Sequence, residues 1–170
     1  MYSGIIGNLL NGKRKIDTGL ELGSSLNEAA SVSPKNFILR ITREEWLRQV
    51  FKIKKYYPGV PRRWEEGGVL LLARKAEEGD SFIGYAVLDR FVRKDLLPPS
   101  RRQECEEMRW KGELVFSELY RFEPPVPIKA TVLGGTSIRG RCFHGYPLTD
   151  EQVASILEIA KRKSSFLKID

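Results

Sequence analysis

The residues best suited to chemistry lie in one extended segment, Lys54–Trp64. Its eleven positions hold three aromatic residues, four basic residues, two prolines and a glycine, and the prolines exclude a helix or a central strand. Aromatic faces stack on unpaired bases, and cations hold phosphates. The segment therefore predicts a contact with nucleic acid, although aromatics that simply close the edge of the core would give the same pattern. The candidates are Tyr56, Tyr57, Arg62, Arg63 and Trp64.

The positive charge of the chain is concentrated around this segment. The net charge of the 170 residues is +7, and the window from Arg40 to Arg63 alone carries eight basic and two acidic residues, a net of +6. A basic field of this size favours a polyanion such as DNA or RNA. A solvated basic helix face is the alternative that the same residues allow.

A second basic segment is rich in glycine. Residues 134–141 read Gly-Gly-Thr-Ser-Ile-Arg-Gly-Arg, which lacks the spacing of a phosphate loop, and no helix start follows it. A nucleoside-triphosphate site is therefore not expected here. The segment is instead a candidate for a tight turn that presents Arg139 and Arg141 to a phosphate or a base.

Groups for catalysis or metal binding are few. One histidine and two cysteines do not make a multi-histidine site or the usual zinc spacing, so we expect neither a metal nor a cofactor. Cys142 and His144 lie two apart and could pair as nucleophile and base, but the sequence offers no third group to orient them. Nothing in the sequence requires an enzyme.

The elements that position these residues are readable from apolar patterns. Residues 37–41 predict a strand that runs into a helix capped by Thr42, in which Trp46 has the spacing of a core residue. Residues 67–91 predict the central hairpin of the sheet, with a turn at 77–80 and both faces of its first strand covered. A helix capped by Ser100, strands at 113–122 and 128–133, and a final helix with a capping box at Thr149 and Gln152 complete the order.

Length and composition bound the organisation of the chain. At 170 residues it suits one core, and we expect an N-terminal arm or linker at 1–36 followed by a domain at 37–170. No apolar run approaches the roughly 20 residues that span a bilayer, and no secretory signal is visible, so we expect a cytoplasmic protein with reduced cysteines. The bias toward Lys, Arg and Glu over Asn and Gln suggests a thermophilic source.

The element order and five apolar motifs resemble the PUA-like superfamily, and within it the EVE-like and ASCH-like branch that is related to YTH domains. The resemblance covers about residues 37–163. Its motifs are Phe37–Ile41 with the helix that follows it, Trp64–Leu72, Phe82–Val87, Phe122–Ile128 and Pro147–Leu157.

The resemblance implies an α+β fold, a small, strongly bent β-barrel flanked by helices. It also implies a nucleic-acid-binding module that recognises a modified or extruded base in an aromatic-lined cleft with a basic rim. The implied cage consists of Tyr56, Tyr57 and Trp64, with Tyr85 on the floor and Trp110 on the opposite rim. The implied phosphate contacts are Arg62, Arg63, Arg139 and Arg141.

Two other functions remain open at this point. The first is an ASCH-like enzyme that acts on RNA or a modified nucleoside, for which the sequence offers only Lys55, Glu66, Tyr85 and Cys142 as catalytic groups. The second is an accessory subunit that docks on a protein partner through residues 1–36.

Overall fold

Seven strands and three α-helices make up the computed structural model, which describes residues 34–170. The strands are β1 (Asn36–Arg40), β2 (Lys55–Tyr56), β3 (Val69–Ala76), β4 (Gly79–Arg93), β5 (Gly112–Pro127), β6 (Pro147–Leu148) and β7 (Ser165–Lys168). The helices are α1 (Glu44–Ile53), α2 (Pro99–Met108) and α3 (Asp150–Lys163). The fold is therefore mixed α+β, as predicted.

All seven strands belong to one sheet with the order β2-β5-β4-β3-β1-β6, and β7 also pairs with β5. Only β1 and β3 run parallel; the other pairs are antiparallel. Within residues 34–170 the two end strands, β2 and β6, do not pair with each other. The sheet is not closed, so the predicted barrel is not confirmed.

The sheet is covered on both faces because its central strands are apolar on both. In β3, Leu70 and Leu72 point into one cluster, against the helix α1 residue Val50, and Leu71 points into the other, against Ile156 of α3. Side chains alternate between the faces of a strand, so a continuous apolar run requires cover on both sides. The prediction for this strand is confirmed.

The hairpin of β3 and β4 is also confirmed, with its turn at Glu77 and Glu78 and with Gly79 at a φ of 95°. Further along β4, a Cβ atom on Gly84 would lie well inside contact distance of the Tyr120 carbonyl oxygen. The small residue expected to admit a backbone or a flat ligand therefore admits the backbone of β5.

Of the three predicted helix caps, two are wrong and one is confirmed. Helix α1 begins at Glu44, and its N-cap is Arg43 rather than Thr42. Helix α2 begins at Pro99, before the predicted cap Ser100; proline at the first helical position needs no N–H partner. The capping box of α3 at Thr149 and Gln152 is confirmed.

The predicted strand at 128–133 is replaced by two 3₁₀ turns, Ile128–Ala130 and Val132–Gly135. The hydroxyl of Thr131 donates to the Ile128 carbonyl and accepts from the Leu133 N–H. Such local side-chain bonds compete with a strand ladder, which explains the difference.

Two further predictions concern the N-terminal arm and the absence of a membrane span. The arm or linker at 1–36 falls, except for its last three residues, outside the described part of the chain. Across residues 34–170, no helix is both long enough and apolar enough to cross a bilayer.

Candidate nucleic-acid interface

A cleft of about 270 Å³ opens where the C-terminal end of β1 meets α1, β2 and the loop before β6. We call it the His144 cleft. It is lined by Arg40, Thr42, Trp46, Tyr56, Val60, Arg141 and His144.

The loop before β6 reaches the cleft because it continues to bond to β1 beyond the strand pairing. The N–H of Ile38 donates to the Tyr146 carbonyl, and the N–H of Gly145 donates to the Ile38 carbonyl. One step further, the backbone N–H of Arg40 donates to Nδ1 of His144 at 3.0 Å. These bonds fix the imidazole at the end of β1.

The bond from Arg40 also fixes the proton of the neutral imidazole. A neutral histidine that accepts at Nδ1 carries its proton on Nε2, which is then a donor. Burial and the positive charges of Arg62 and Arg40 lower the pKa of His144 below its ordinary value of 6.5. His144 is therefore neutral at pH 7 and offers its Nε2–H.

The charged residues in and around the cleft are arginines. The Arg40 side chain is partly neutralised by Asp80 at 2.8 Å, whereas the Arg141 side chain is exposed. Arg62 lies at the rim, where its Nε donates to the Gly145 carbonyl at 2.8 Å. None of the lining residues carries a carboxylate, so the cleft suits an anionic or acceptor-rich ligand.

Aromatic side chains supply the apolar part of the cleft. Tyr56 is only 5% exposed and its ring meets His144 edge-on at 6.2 Å between centroids; burial raises its pKa, so its hydroxyl stays protonated. Trp46 is half-buried, with the guanidinium of Arg43 lying 5.0 Å from its ring centroid. The cleft thus combines an aromatic surface with cationic donors.

Comparison with known proteins identifies the fold. Neither a protein-family model nor a curated protein matches the sequence. The ASCH protein of Zymomonas mobilis is 10% identical and matches with a TM-score of 0.55 over 77% of this chain and 96% of that protein. Two of its mutant structures match at 10% and 11% identity, both with a TM-score of 0.55, over 77–78% of this chain and 99–100% of theirs. The fold is that of ASCH proteins.

This result confirms the ASCH part of the predicted resemblance, and at such low identity it concerns the fold alone. The proposed relation to EVE and YTH domains stays a prediction.

On this ASCH fold, the structure brings together three of the residues selected from the sequence. Tyr56 and Arg141 line the His144 cleft and Arg62 lies at its rim. They come from two segments that are about eighty positions apart in the chain. The bond from Arg62 to the Gly145 carbonyl joins these segments. Both basic segments singled out from the sequence therefore contribute to one cleft.

Tyr57 and Trp110 require a correction, because the structure places both in the core. Tyr57 is 4% exposed and Trp110 9% exposed, and their rings stack at 5.1 Å beside Cys105. The Tyr57 hydroxyl donates to the buried Glu113 at 2.7 Å. Both rings pack inside this buried cluster and neither lines the His144 cleft, so neither can stack on a base there. For Tyr57 the alternative interpretation, closing the edge of the core, applies.

Trp64 and Tyr85 lie outside the His144 cleft. Trp64 is half-buried against Phe37, at 5.2 Å between centroids, and faces a separate groove. Tyr85 is stacked on Tyr120 at 4.9 Å and packs with the cluster on the α3 side of the sheet. The five rings assigned to the predicted cage therefore do not line one common cleft: Tyr57 and Trp110 stack on each other in the core, and Tyr56, Trp64 and Tyr85 lie in three different places.

Two of the predicted phosphate-binding arginines bond to residues close to them in the chain. Arg63 is exposed and pairs with Glu65 at 3.3 Å. Arg139 is exposed and donates to the carbonyls of Thr136 and Ile138 in its own turn. Neither lines the cleft.

The catalytic candidates are dispersed. Lys55 pairs with Glu113 at 3.4 Å, Glu66 is exposed in the loop before β3, and Tyr85 lies on the α3 side of the sheet. Cys142 is exposed and does not line the cleft that holds His144. The described residues also contain no cluster of His, Cys, Asp and Glu that could hold a metal ion.

Sequence reasoning missed Arg40, Trp46 and His144 as residues of this cleft. Arg40 ends a strand that is followed closely by a helix, and polar residues at strand ends often line sites; that signal was available. The helical spacing of Trp46 predicts a core residue, and in the structure it packs on two apolar clusters while one part of it lines the cleft. His144 bonds to a residue 104 positions away, which no local pattern reveals.

The position of His144 predicts a pH dependence of stability. Because the pKa of His144 is lowered in the folded state, the unfolded chain binds the proton more tightly, and stability falls as the pH drops below about 6.5. His144→Asn keeps an acceptor for the Arg40 N–H without a titrating group. We expect the free energy of unfolding of wild type to decrease relative to this variant between pH 7 and pH 5, measured by denaturant titration. A difference that is constant, or that favours wild type at acid pH, would contradict the assignment.

Proposed function

We propose that this ASCH-fold protein binds single-stranded nucleic acid and takes one extruded base into the His144 cleft. The observation that supports this best is the chemistry of the lining: its polar side chains are cationic or neutral donors around an aromatic floor. Backbone phosphates carry the negative charge that such a field attracts.

The size and the surface of the cleft favour a neutral base over a free anion such as phosphate. Its volume of about 270 Å³ is below the roughly 300–1,000 Å³ of pockets for drug-sized ligands. A free phosphate would satisfy Arg40 and Arg141 but would leave Tyr56, Val60 and Trp46 without a partner. A base uses the apolar surface while its phosphates contact the arginines at the rim.

The donors in the cleft indicate which base edges it accepts. His144 offers an Nε2–H and Arg141 offers guanidinium N–H groups, so the base should present acceptors such as a carbonyl oxygen or an unprotonated ring nitrogen. Uracil and guanine, with their carbonyl groups, fit this requirement better than a base edge made of an amino group. A modification that adds an acceptor should strengthen binding.

Base contacts and phosphate contacts are expected to contribute differently to the binding free energy. Contact of a base with aromatic side chains contributes about 1–3 kcal/mol. Each phosphate contact with a single strand contributes a slope of about −0.7 to the dependence of log affinity on log salt concentration. Recognition therefore comes from the cleft, and most of the affinity comes from the basic residues around it.

The test is fluorescence anisotropy with matched single- and double-stranded RNA and DNA, with and without modified bases, over a salt series. We expect single strands to bind more tightly than the corresponding duplexes, with one base class preferred and with a steep salt dependence. If all probes bind equally and moderate salt abolishes the binding, the protein binds nucleic acid only through a non-specific basic surface, and the proposal is wrong.

Chromatography of the recovered oligonucleotides adds a control to the same experiment. Intact oligonucleotides after prolonged incubation agree with binding alone, whereas cleaved or altered ones would make the protein an enzyme on this substrate.

A further inference from the structure

A second concavity lies next to the His144 cleft, on the other side of the segment that follows β2. We call it the Trp64 groove. It has a volume of about 350 Å³, and its lining includes Pro61, Arg62, Trp64, Phe91, Lys94 and Lys111.

The groove repeats the combination of aromatic wall and positive charge. The wall is formed by Trp64 and Phe91, whose ring centroids lie 6.4 Å apart. Trp64 is held from behind by Phe37 of β1, so its ring has a fixed position. A flat, apolar group can pack against such a wall without reorganising it.

Arg62 and Lys111 are the basic residues of the groove that pair with no carboxylate of residues 34–170, although Arg62 donates to the carbonyls of Gly145 and Pro61. Arg93 and Asp95, which also line the groove, pair with each other at 2.6 Å, and Lys94 pairs with Glu106 at 3.0 Å. Among the described residues, Lys111 makes no ion pair, and its side chain is exposed. A ligand in the groove therefore meets the positive charge of Lys111, which no carboxylate of residues 34–170 neutralises.

The groove and the cleft adjoin each other at the Val60–Arg62 segment. Val60 lines the His144 cleft, and the next residue along the chain, Pro61, lines the groove. Arg62 lines the groove and its Nε reaches the carbonyl of Gly145, the neighbour of His144. One guanidinium therefore lies between the two sites.

We propose that the Trp64 groove binds the neighbouring nucleotide of the strand whose extruded base occupies the His144 cleft. Arg62 contacts the phosphate between the two nucleotides, Lys111 contacts the next phosphate, and the second base packs against Trp64. This inference rests on the proposed function and makes it more specific: the ligand is a single strand of at least two nucleotides, bound across the Val60–Arg62 segment.

The first experiment compares Lys111→Gln with Lys75→Gln. Both replace an exposed lysine by the same residue, but Lys75 lies in β3 and lines neither site. The probes are uridine 5′-monophosphate, followed by NMR, and an eight-nucleotide oligouridylate, followed by anisotropy.

We expect Lys111→Gln to weaken octamer binding about three- to tenfold and to reduce the salt slope by about 0.7, without affecting the mononucleotide. We expect Lys75→Gln to change neither. Equal octamer affinities for the two variants, with wild-type binding intact, would overturn the groove as a nucleotide site. Failure of wild type to bind either probe would overturn the proposed function itself.

The second experiment uses tryptophan fluorescence and avoids any change of charge. Trp64→Phe keeps an aromatic ring against Phe37 and Phe91 but removes the indole of the groove. We expect the octamer to cause a larger absolute decrease in fluorescence intensity in wild type than in Trp64→Phe. We expect the mononucleotide to cause the same absolute decrease in the two proteins. Identical quenching of both proteins by the octamer would place the second nucleotide elsewhere.

Discussion

Replacing Arg141 with glutamate will lower the affinity for a single-stranded octanucleotide by about tenfold or more at low salt, with an unchanged melting temperature. Arg141 lines the His144 cleft and is exposed, and its side chain makes no hydrogen bond or ion pair with other described residues. Its loss therefore costs the fold little. The glutamate brings a negative charge to the place where we propose a phosphate, so attraction becomes repulsion.

The matched control for this prediction is Arg139→Glu. Arg139 is two positions away and also exposed, and its substitution changes the net charge by the same amount. It bonds to carbonyls of its own turn and lies outside the cleft. Anisotropy over a salt series should show the large loss for the Arg141 variant only. Equal losses for both variants would mean that the affinity depends on the net charge of the protein and not on contacts in the cleft.

The largest effect on stability is expected for Trp110→Ala, at about 3–5 kcal/mol of the free energy of unfolding. The indole is 9% exposed, stacks on Tyr57 and meets Trp46 edge-on at 6.2 Å between centroids. Its removal leaves a cavity under α2 that rigid neighbours cannot fill. Small domains are stable by only about 5–15 kcal/mol, so denaturant titration should show a clearly lowered midpoint.

Tyr57→Phe provides the smaller, matched change in the same cluster. It removes only the hydroxyl that donates to the buried Glu113, and Lys55 still pairs with that carboxylate. We expect a loss of about 1–3 kcal/mol. A Trp110→Ala protein that kept its stability but lost nucleic-acid binding would restore Trp110 to the base-binding role that the sequence predicted.

The elements that the sequence predicted correctly are those that local patterns determine. The hairpin of β3 and β4 depends on two apolar runs and a polar turn, and α3 on a capping box followed by Val153 and Ile156 at helical spacing. Each signal lies within about fifteen positions. Where a local signal failed, as for the strand expected at 128–133, the hydroxyl of Thr131 formed bonds inside the turn.

The candidate site was only partly predictable because its contacts join distant segments. Composition alone identified both of its basic segments, and with them Tyr56, Arg62 and Arg141. It could not decide which aromatic faces the core, because an extended loop has no periodicity. That choice is made by partners such as Glu113, which lies 56 positions after Tyr57.

The three tryptophans allow the most direct test of the central claim, since each lies in a different environment. Trp46 lines the His144 cleft, Trp64 lines the neighbouring groove, and Trp110 is buried in the core. NMR spectra of ¹⁵N-labelled protein resolve the indole N–H signals during titration with a single-stranded octanucleotide. The account predicts that the Trp46 and Trp64 signals shift with the same binding curve, while the Trp110 signal moves least. Saturation of binding with the Trp46 signal unmoved would show that the base does not enter the cleft.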